Sequence, residues 1–513
     1  MGYTELELKV PTDFSNSDLK KVISQKIDTS EHSFSILRKS LDARNKRDIH
    51  WLLRIGVTSP AIKGEAPEIK KLEFPSSDHG KEKKVIITGC GPAGIFCGLI
   101  LQRSGYSVVI IEKGGRVQKR TADIESFENS GLLIKNSGYC FGEGGAGTFS
   151  DGKLTSRTKT ITLEKNFIFE ELIKAGAPEE IAYMTHPHLG SDNLKKIIPA
   201  IISDFRSRGG TVLFETEVTE IHRSGDKITA LEITGKQNGK LEGDVFIFAP
   251  GHSSFNLYRL LLKNKVELST KPFAIGFRVE HLQETINLAQ WGTASLPGVK
   301  AAEYRLAESF DNSSVFSFCM CPGGKVVQSS PESGLSVVNG MSNYFRSGMF
   351  ANSAVVTPFK IEELSNGPVS PLTALDLLED LERKFYNYSD SFDIPAVNIA
   401  DLINGRTSNR FSPSSYSFKL VNADFNELFP ASVLDRLING LKIFNNKIKG
   451  FQDGIAMGLE SKTSSPLKAQ RNKDLTTPPY SNLYICGEGS GNAGGIISSA
   501  ADGVRVAMAL INL

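Results

Sequence analysis

A glycine-rich segment near residue 90 has the residue types and spacing of a phosphate-binding loop. Gly89, Gly91 and Gly94 form the pattern G-x-G-x-x-G, which follows the apolar run 85–87 and opens a predicted helix. The first glycine allows a tight turn, the second lets the backbone approach a pyrophosphate, and the third lets the helix pack on the sheet. Glu112 ends the next predicted strand about 20 residues later, where a carboxylate can accept hydrogen bonds from ribose hydroxyls. Together these residues predict a dinucleotide site in a βαβ unit.

Three later segments favour FAD over NAD as the dinucleotide. Residues 211–221 resemble the strand that lies over the adenine in FAD domains. Residues 245–251 resemble a strand followed by Ala-Thr-Gly, with Pro250 in place of Thr. Residues 483–488 resemble the late strand that holds the ribityl chain, which makes Glu488 a predicted ligand on the ribityl or pyrophosphate side. An NAD domain has no need of this last element so far along the chain.

Several glycine-rich and polar blocks carry a resemblance to a known family. They are residues 141–154, 188–192, 319–324, 339–342, 464–466 and 487–496. On these blocks the chain resembles the glutathione-reductase-type FAD domain and, more closely, a bacterial family of FAD-utilising dehydrogenases. The resemblance is weakest over residues 1–72, which we call the N-terminal module. It departs from the family at Lys462, where Arg is expected, and at Asn492, where an aromatic residue is expected.

The resemblance implies a non-covalently bound FAD. Residues 142–152 would pass the isoalloxazine ring, because glycine lets backbone N–H groups approach closely, or they would contact the FAD phosphates only. The helix 496–511 would start at the flavin O2 edge and stabilise the negative charge of the reduced ring. A second G-x-G-x-x-G in a strand–helix context is absent, so NAD(P)H is considered only as a transient electron donor. The predicted FAD contacts are Gly89, Gly91, Pro92, Ala93, Gly94, Glu112, Lys113, Gly142, Gly144, Gly145, Gly147, Thr148, Ser150, Asp151, Val218, Ala249, Gly251, Gly487, Glu488, Gly494, Gly495 and Ile496.

Catalysis is not assigned to a particular residue. Histidine is the usual general base near neutral pH, but each candidate histidine also fits a structural role. Cys319 and Cys321 form C-x-C, which closes a disulfide only in a strained ring, so a structural or pocket-lining role is favoured. Arg278 could hold an anionic substrate, although a surface position or an ion pair is the favoured interpretation. The candidates are Lys153, His188, His252, His281, Cys319 and Cys321.

Composition and charge exclude several classes of protein. The chain has 513 residues, of which 40% are hydrophobic and 23% charged, and its formal net charge is +2. These values exclude a disordered chain and give no electrostatic reason to expect nucleic acid or an anionic membrane as a partner. The six cysteines are not spaced like a zinc site, so no metal is predicted. Since a signal peptide and an apolar run of about 18 residues are also absent, we predict a cytoplasmic protein that acts on a small molecule.

The predicted fold class is α/β. It combines an FAD/NAD(P)-binding Rossmann-like three-layer domain, an inserted α+β substrate domain and a small N-terminal α+β (ferredoxin-like) module. Helices are predicted near 372–385, after Ser370-Pro371, and near 431–444. The predicted boundaries are 1–72 for the N-terminal module, 73–84 for a linker, 85–270 for the first part of the FAD-binding domain, 271–477 for the inserted substrate or cap domain and 478–513 for the C-terminal part of the FAD-binding domain.

These features predict an FAD-dependent oxidoreductase, a dehydrogenase that transfers a hydride between flavin N5 and an unidentified small molecule. Two alternatives stay open. In one, FAD is structural or serves RNA or cofactor modification, and the basic segment 38–44 of the N-terminal module docks the partner, although a solvated turn also explains that segment. In the other, an interaction protein has kept the fold and lost redox function, which the intact glycine loops argue against.

Overall fold

The computed structural model describes residues 1–75, 82–156, 158, 160–310, 313–365 and 368–512. Residues 76–81 of the predicted linker lie outside the described residues. Within the described ranges, no helix combines the length and the apolar character that a membrane crossing requires.

The N-terminal unit is a three-stranded antiparallel sheet covered by one helix. Its elements are β1 (Gly2–Val10), α1 (Asn16–Ile27), β2 (Ser33–Asp42) and β3 (His50–Ser59), and the strand order is β1-β3-β2. The side chain of Ser15 caps α1 by accepting a hydrogen bond from the backbone N–H of Asp18 at 3.2 Å, and the helix buries Leu19 and Ile23. The α+β class is therefore as predicted. The ferredoxin-like description is not confirmed, because residues 1–75 have the order βαββ, and a ferredoxin-like fold needs a further helix and strand.

The next part of the chain begins with the βαβ unit that the dinucleotide motif predicts. After their first residue, β4 and β5 are buried and, apart from Thr88, apolar. β10 is buried and apolar throughout, and such strands are typical of parallel sheets covered on both faces. The elements are β4 (Lys84–Thr88), α2 (Pro92–Arg103), β5 (Ser107–Ile111), α3 (Val117–Ser130), α4 (Thr162–Lys174), α5 (Gly190–Ser207), β6 (Thr211–Leu213), β7 (Thr216–Ser224), β8 (Lys227–Gly235), β9 (Gly239–Glu242), β10 (Val245–Phe248) and α6 (Phe255–Lys263).

A large, mostly antiparallel sheet follows. Its elements, with a short pair formed by β11 and β20, are β11 (Leu268–Thr270), β12 (Phe273–Leu282), α7 (Gln283–Trp291), β13 (Ala307–Phe310), β14 (Ser313–Gln328), β15 (Val338–Ser342), β16 (Phe350–Phe359), α8 (Pro371–Asn387), β17 (Ile394–Asn398), α9 (Ile399–Ile403), β18 (Leu420–Asn422), α10 (Phe425–Leu428), α11 (Ala431–Lys447), β19 (Ile455–Glu460) and β20 (Leu467–Ala469). The sheet has the order β13-β14-β16-β12-β19-β17-β18, with β15 paired to β14. α8 and α11 lie where helices are predicted, and Ser370 caps α8 by accepting from the N–H of Thr373.

The chain finally returns to the parallel sheet through β21 (Leu483–Ile485) and ends in α12 (Ile496–Ile511). The completed sheet has the order β21-β10-β4-β5-β6, and all of its pairs are parallel. Apolar side chains of α2, α4, α5 and α12 cover one face, and those of β7, β8 and α6 cover the other. The predicted Rossmann-like, three-layer fold class is confirmed.

Candidate functional site

A cavity of about 780 Å³ opens between the parallel sheet and the large antiparallel sheet. Its volume lies in the usual range for small-molecule and cofactor sites. One wall is made by the loops that follow β4, β5, β10 and β21, which is the edge where open α/β sheets bind their ligands. The opposite wall is made by residues 303–305 and 317–320 and by Arg346.

The three glycines of the phosphate loop have different surroundings. Gly89 has a φ of 112°, and a Cβ there would lie 2.5 Å from the carbonyl oxygen of Ala249. A Cβ on Gly94 would lie 2.0 Å from the carbonyl oxygen of Gly89. A Cβ on Gly91 would meet nothing within 4 Å in the described part of the chain, and Gly91 lines the cavity. Gly89 and Gly94 therefore serve the turn and the packing, whereas Gly91 keeps the wall open to a ligand.

The carboxylate of Glu112 joins three backbone segments at the cavity wall. Its Oε2 accepts a hydrogen bond from the N–H of Cys90 at 2.9 Å, and its Oε1 accepts from the N–H groups of Gly114 and Gly142, each at 2.9 Å. Glu112, the residue predicted to bind the ribose, thus lies on the cavity wall and also holds the phosphate loop against the neighbouring loops.

Arg120 holds the loop 138–145 in place beside the phosphate loop. Its guanidinium is buried and donates to the carbonyl oxygens of Gly138, Tyr139, Glu143 and Gly145 at 2.8–3.3 Å. Burial lowers the pKa of Arg120 to about 10, so it remains charged at neutral pH. Sequence reasoning misses this residue, because one arginine in the sequence carries no signal of its contacts.

The loop between β21 and α12 forms a further glycine-rich part of the wall. The N–H of Gly487 donates to Oδ2 of Asp502 at 2.9 Å, and Oε2 of Glu488 accepts from the backbone N–H of His252 at 3.0 Å. Burial raises the pKa of Glu488. Gly495 precedes α12 with a φ of 127°, and a Cβ there would meet no described atom within 4 Å. The start of α12 is therefore accessible from the cavity, because Gly495 has no side chain to cover the backbone there.

Most of the predicted FAD contacts lie on this one cavity wall. They are Gly89, Gly91, Pro92, Ala93, Glu112, Lys113, Gly145, Gly147, Ser150, Asp151, Val218, Ala249, Gly251, Gly487, Glu488, Gly494, Gly495 and Ile496. Gly94, Gly142, Gly144 and Thr148 lie behind the wall instead. For example, the hydroxyl of Thr148 donates to the carbonyl oxygen of Glu143 at 2.9 Å. FAD contacts at these four positions stay predictions.

Charged side chains gather where the cavity meets the region of the chain that contains the large antiparallel sheet, which we call the second domain. We call this part the charged end, and it consists of Asp151, Lys153, His186, Glu303, Cys319 and Arg346. Asp151 Oδ2 lies 2.6 Å from Nζ of Lys153 and 3.0 Å from Nη2 of Arg346. Glu303 lies 3.2 Å from Nη1 of Arg346 and 2.7 Å from Nδ1 of His186. The sequence does not single out Arg346 and Glu303 as site residues, since the two come from separate segments, whereas His186 is one of the histidines considered for a catalytic role.

The cations of the charged end keep its carboxylates ionised. Burial alone would raise the pKa of Asp151, but Lys153 and Arg346 outweigh it and hold that pKa well below its usual range. In the same way, His186 and Arg346 outweigh burial and lower the pKa of Glu303 to about 2. Burial alone would lower the pKa of Lys153, but Asp151 raises it. Lys153 therefore stays protonated at neutral pH and acts as a donor.

Three of the predicted catalytic candidates line the cavity, namely Lys153, His252 and Cys319. His252 is buried, and neither of its ring nitrogens has a hydrogen-bond partner among the described residues. Burial, with a contribution from Lys462, lowers the pKa of His252 well below its usual value, so the ring is neutral. A buried ring with unused nitrogens on a cavity wall is suited to hydrogen-bond a ligand.

The other three candidates do not line the cavity. Nε2 of His188 lies 2.9 Å from the carbonyl oxygen of Tyr344, and Nε2 of His281 lies 2.7 Å from that of Phe451. Burial lowers the pKa of both histidines to about 4, which keeps their rings neutral. Both therefore act as structural donors in this fold. Cys321 is buried behind Cys319.

Comparison with known proteins assigns the family. Residues 272–463 match the family described as FAD-dependent protein, C-terminal domain-like, and residues 3–58 match a domain of unknown function. An uncharacterized protein of Clostridium beijerinckii is 36% identical over 96% of this chain and 95% of its own length. The chain belongs to this family of FAD-dependent proteins. Its cofactor is FAD, so the predicted cofactor is confirmed.

Three solved structures align with most of the chain at low sequence identity. CtdE in complex with FAD is 13% identical with a TM-score of 0.35, over 83% of this chain and 84% of that one. A geranylgeranyl bacteriochlorophyll reductase-like protein from Thermoplasma acidophilum is 11% identical with a TM-score of 0.37, over 84% and 77%. The tetracycline destructase Tet(51) is 10% identical with a TM-score of 0.33, over 84% and 82%.

The cavity wall of this FAD-dependent protein fits the cofactor. The open space beside Gly91 and Gly495 lies at the N-termini of α2 and α12, where a helix leaves backbone N–H groups free for an anion. The phosphate loop would hold the pyrophosphate, and Glu112 the ribose. The segments 145–153 and 487–496 would then flank the ring system.

Proposed function

We propose that this protein is an FAD-dependent oxidoreductase, a dehydrogenase that transfers a hydride between flavin N5 and a small molecule at the charged end. The observation that carries the proposal is the continuity of the cavity, which runs from Gly91 to Lys153 and Arg346. When bound, FAD supplies a centre that exchanges two electrons. A substrate at the charged end would lie between the cofactor loops and the second domain.

Lys153 is the residue proposed to orient the substrate. It is protonated at neutral pH and fixed by Asp151 at 2.6 Å, so its ammonium has a defined position. An oxygen of the substrate would accept a hydrogen bond from Nζ. A fixed cation there stabilises negative charge that develops on that oxygen during the reaction.

His252 is proposed to bind rather than to remove a proton. A general base works best when its pKa lies near the working pH, and burial holds the pKa of His252 well below that range. Its unpartnered ring can still donate one hydrogen bond and accept another.

The test is the visible spectrum of the purified protein, followed by anaerobic addition of NADH or NADPH in separate cuvettes. We expect a flavin band near about 450 nm and its loss with one of the two nucleotides or with an organic substrate from a panel. A protein that takes up no FAD contradicts the cofactor site. A yellow protein that no nucleotide and no member of the panel reduces contradicts the redox reaction.

Lys153→Met is the variant that tests the substrate role. It should keep the flavin band and slow substrate-dependent reduction or reoxidation by about tenfold or more, since one fixed donor typically contributes that much. Lys325→Met is the matched control, because Lys325 pairs with Glu128 at 3.0 Å away from the cavity wall. Equal rates in the two variants would contradict the role of Lys153.

A further inference from the structure

The segment Cys319–Met320–Cys321 departs from regular strand geometry where β14 reaches the charged end. The pairing register of β14 with β16 shifts between Phe318 and Cys321, and Cys319 has a φ of 45°. Non-glycine residues rarely adopt this left-handed conformation, and strained residues and strand irregularities concentrate at functional sites. Arg346 has a φ of 54° and lines the same end of the cavity. Two strained residues thus face one part of the wall.

Two cations hold the Cys319 segment. The buried Arg278 donates from Nη2 to the carbonyl oxygen of Cys319 at 2.6 Å and lies 3.7 Å from Sγ of Cys321. Oε2 of Glu460 lies 2.8 Å from Nη1 of Arg278, so of the two roles favoured from the sequence, a surface position or an ion pair, the structure shows the ion pair. Lys153 donates from Nζ to the carbonyl oxygen of Met320. Positive charge beside a thiol stabilises its thiolate form.

The two thiols have different accessibility and acidity. Cys319 lines the cavity, whereas Cys321 is buried and donates from Sγ to the carbonyl oxygen of Cys319 at 3.3 Å. The neighbouring Cys321 thiol, together with the positive charges of Arg278 and Lys153, lowers the pKa of the Cys319 thiol against the effect of burial. The pKa of the Cys321 thiol is raised instead, by the neighbouring Cys319 and by burial. Cys319 is therefore the nucleophile, and Cys321 keeps its proton.

The charged end also offers an unused donor to a ligand. Nε of Arg346 is buried and has no hydrogen-bond partner among the described residues, although Nη1 and Nη2 are paired. Buried donors of this kind are ordinarily satisfied by a ligand or water. The reactive thiol therefore lies in a part of the cavity that is equipped to bind a molecule.

We propose that Cys319 and Cys321 are a redox-active cysteine pair that reduces small-molecule disulfides at the charged end, with Cys319 as the attacking and Cys321 as the resolving thiol. This inference rests on the proposed function, because bound FAD would be the route by which electrons return to the pair. A C-x-C disulfide is strained, and strained disulfides are the readily reduced ones that suit a catalytic cycle.

The exchange balances in two steps. The Cys319 thiolate attacks one sulfur of R–S–S–R, so that a Cys319–S–S–R bond forms, the substrate S–S bond breaks and one R–S⁻ leaves. Cys321 then gives its proton to that R–S⁻ and attacks Sγ of Cys319, which releases the second R–S⁻ for protonation by solvent. The substrate gains two electrons and becomes two thiols, and the cysteine pair loses two electrons and becomes a disulfide. A reduced nicotinamide would supply two electrons as a hydride to bound FAD, which would pass them to the cysteine disulfide. With two protons, one from the hydride and one from solvent, this restores the dithiol.

The experiment is disulfide exchange on the reduced, FAD-loaded protein with 4,4′-dithiodipyridine as the probe and no nicotinamide present. It uses a Cys140→Ser background, because Cys140 is the other thiol on the cavity wall of the described residues. We expect rapid release of two equivalents of thiopyridone per chain and a Cys319–Cys321 disulfide in the peptide map. Release of one equivalent or none, or a map without that disulfide, would overturn the pair.

Two matched variants assign the roles within the pair. Cys321→Ser should release one equivalent and retain the probe on Cys319, as a mixed disulfide seen by mass spectrometry. Cys319→Ser should lose the rapid phase altogether, and a rapid two-equivalent release from it would overturn the proposal. Retention of the flavin band shows that a variant is folded. If a variant does not fold, the peptide map of the protein that keeps both Cys319 and Cys321 still tests the proposal. Since the assay involves no flavin reduction, its outcome is independent of the spectral test of the oxidoreductase.

Discussion

Arg346 lies 3.0 Å from Asp151, between Nη2 and Oδ2, and both side chains are buried. The pair joins the loop between β15 and β16 of the large antiparallel sheet to the glycine-rich segment 142–152. Removing one partner of a buried ion pair leaves an uncompensated charge, which typically costs about 3–5 kcal/mol. This contact therefore couples the alignment of the two cavity walls to the stability of the fold.

Arg346→Met should lower the free energy of unfolding by about 3 kcal/mol, because Asp151 then keeps only Lys153 as a cation. The measurement is urea denaturation followed by tryptophan fluorescence or circular dichroism. Arg208→Met is the matched control, since Arg208 and Asp204 form an exposed pair on one helix at 3.0 Å, and its loss should stay below about 1 kcal/mol. Equal losses in both variants would contradict the importance of the buried pair.

Gly91→Val and Gly94→Ala should separate cofactor binding from folding. A side chain at Gly91 extends into open cavity, and its φ of −83° suits any residue, so this variant should fold and bind FAD at least about tenfold more weakly. A Cβ at Gly94 collides with the backbone of Gly89, so this variant should lose stability even without FAD. FAD fluorescence titration and the thermal midpoint of the FAD-free protein measure the two effects. The idea fails if Gly91→Val binds FAD with unchanged affinity.

Acid should remove the stabilisation that Asp151 provides. The pKa of Asp151 is lowered in the folded state, so its contribution is complete above its unfolded pKa of about 3.9 and is lost as the pH falls through the folded value. We therefore expect the difference in unfolding free energy between wild type and Asp151→Asn to be constant from about pH 7 to pH 5 and to shrink below about pH 4. Denaturation curves at a series of pH values measure this difference. A difference that is unchanged at about pH 2 speaks against the ion pairs of Asp151 as its source.

Alkylation of Cys319 by iodoacetamide should reveal a thiolate at neutral pH. Cys321, Arg278 and Lys153 lower the pKa of this thiol, whereas burial and Asp151 oppose them. The pH midpoint of alkylation should lie below the value of about 8.5 for a free cysteine, and Lys153→Met should raise it by about one unit. Peptide mass spectrometry of the alkylated fraction gives the midpoint, with Lys325→Met as the control. An unchanged midpoint in Lys153→Met would show that Lys153 does not act on the thiol.

The cofactor half of the site could be predicted because its signals are local. The spacing of Gly89, Gly91 and Gly94 fixes one turn and one helix start, and Glu112 lies at the end of the adjacent strand. In the same way, Ser370 as a helix cap and the helical spacing of the apolar residues after it locate α8. Even so, the sequence does not separate Gly91, which faces the cavity, from Gly94, which packs against Gly89, since that distinction depends on what each Cβ would touch.

By itself, the sequence determined the α/β class and the dinucleotide loop, because turns, helix caps and strand periodicity act over a few residues. FAD is predicted from the resemblance of later segments to those of known FAD domains. Only the tertiary structure decided the composition of the charged end. Arg346 meets Asp151 across 195 positions of the chain, and Arg278 meets Glu460 across 182. The first pair depends on how the large antiparallel sheet packs against the first part of the chain, and the second depends on how β12 pairs with β19 within that sheet. The pKa of each group depends on the burial and the neighbours that this packing creates.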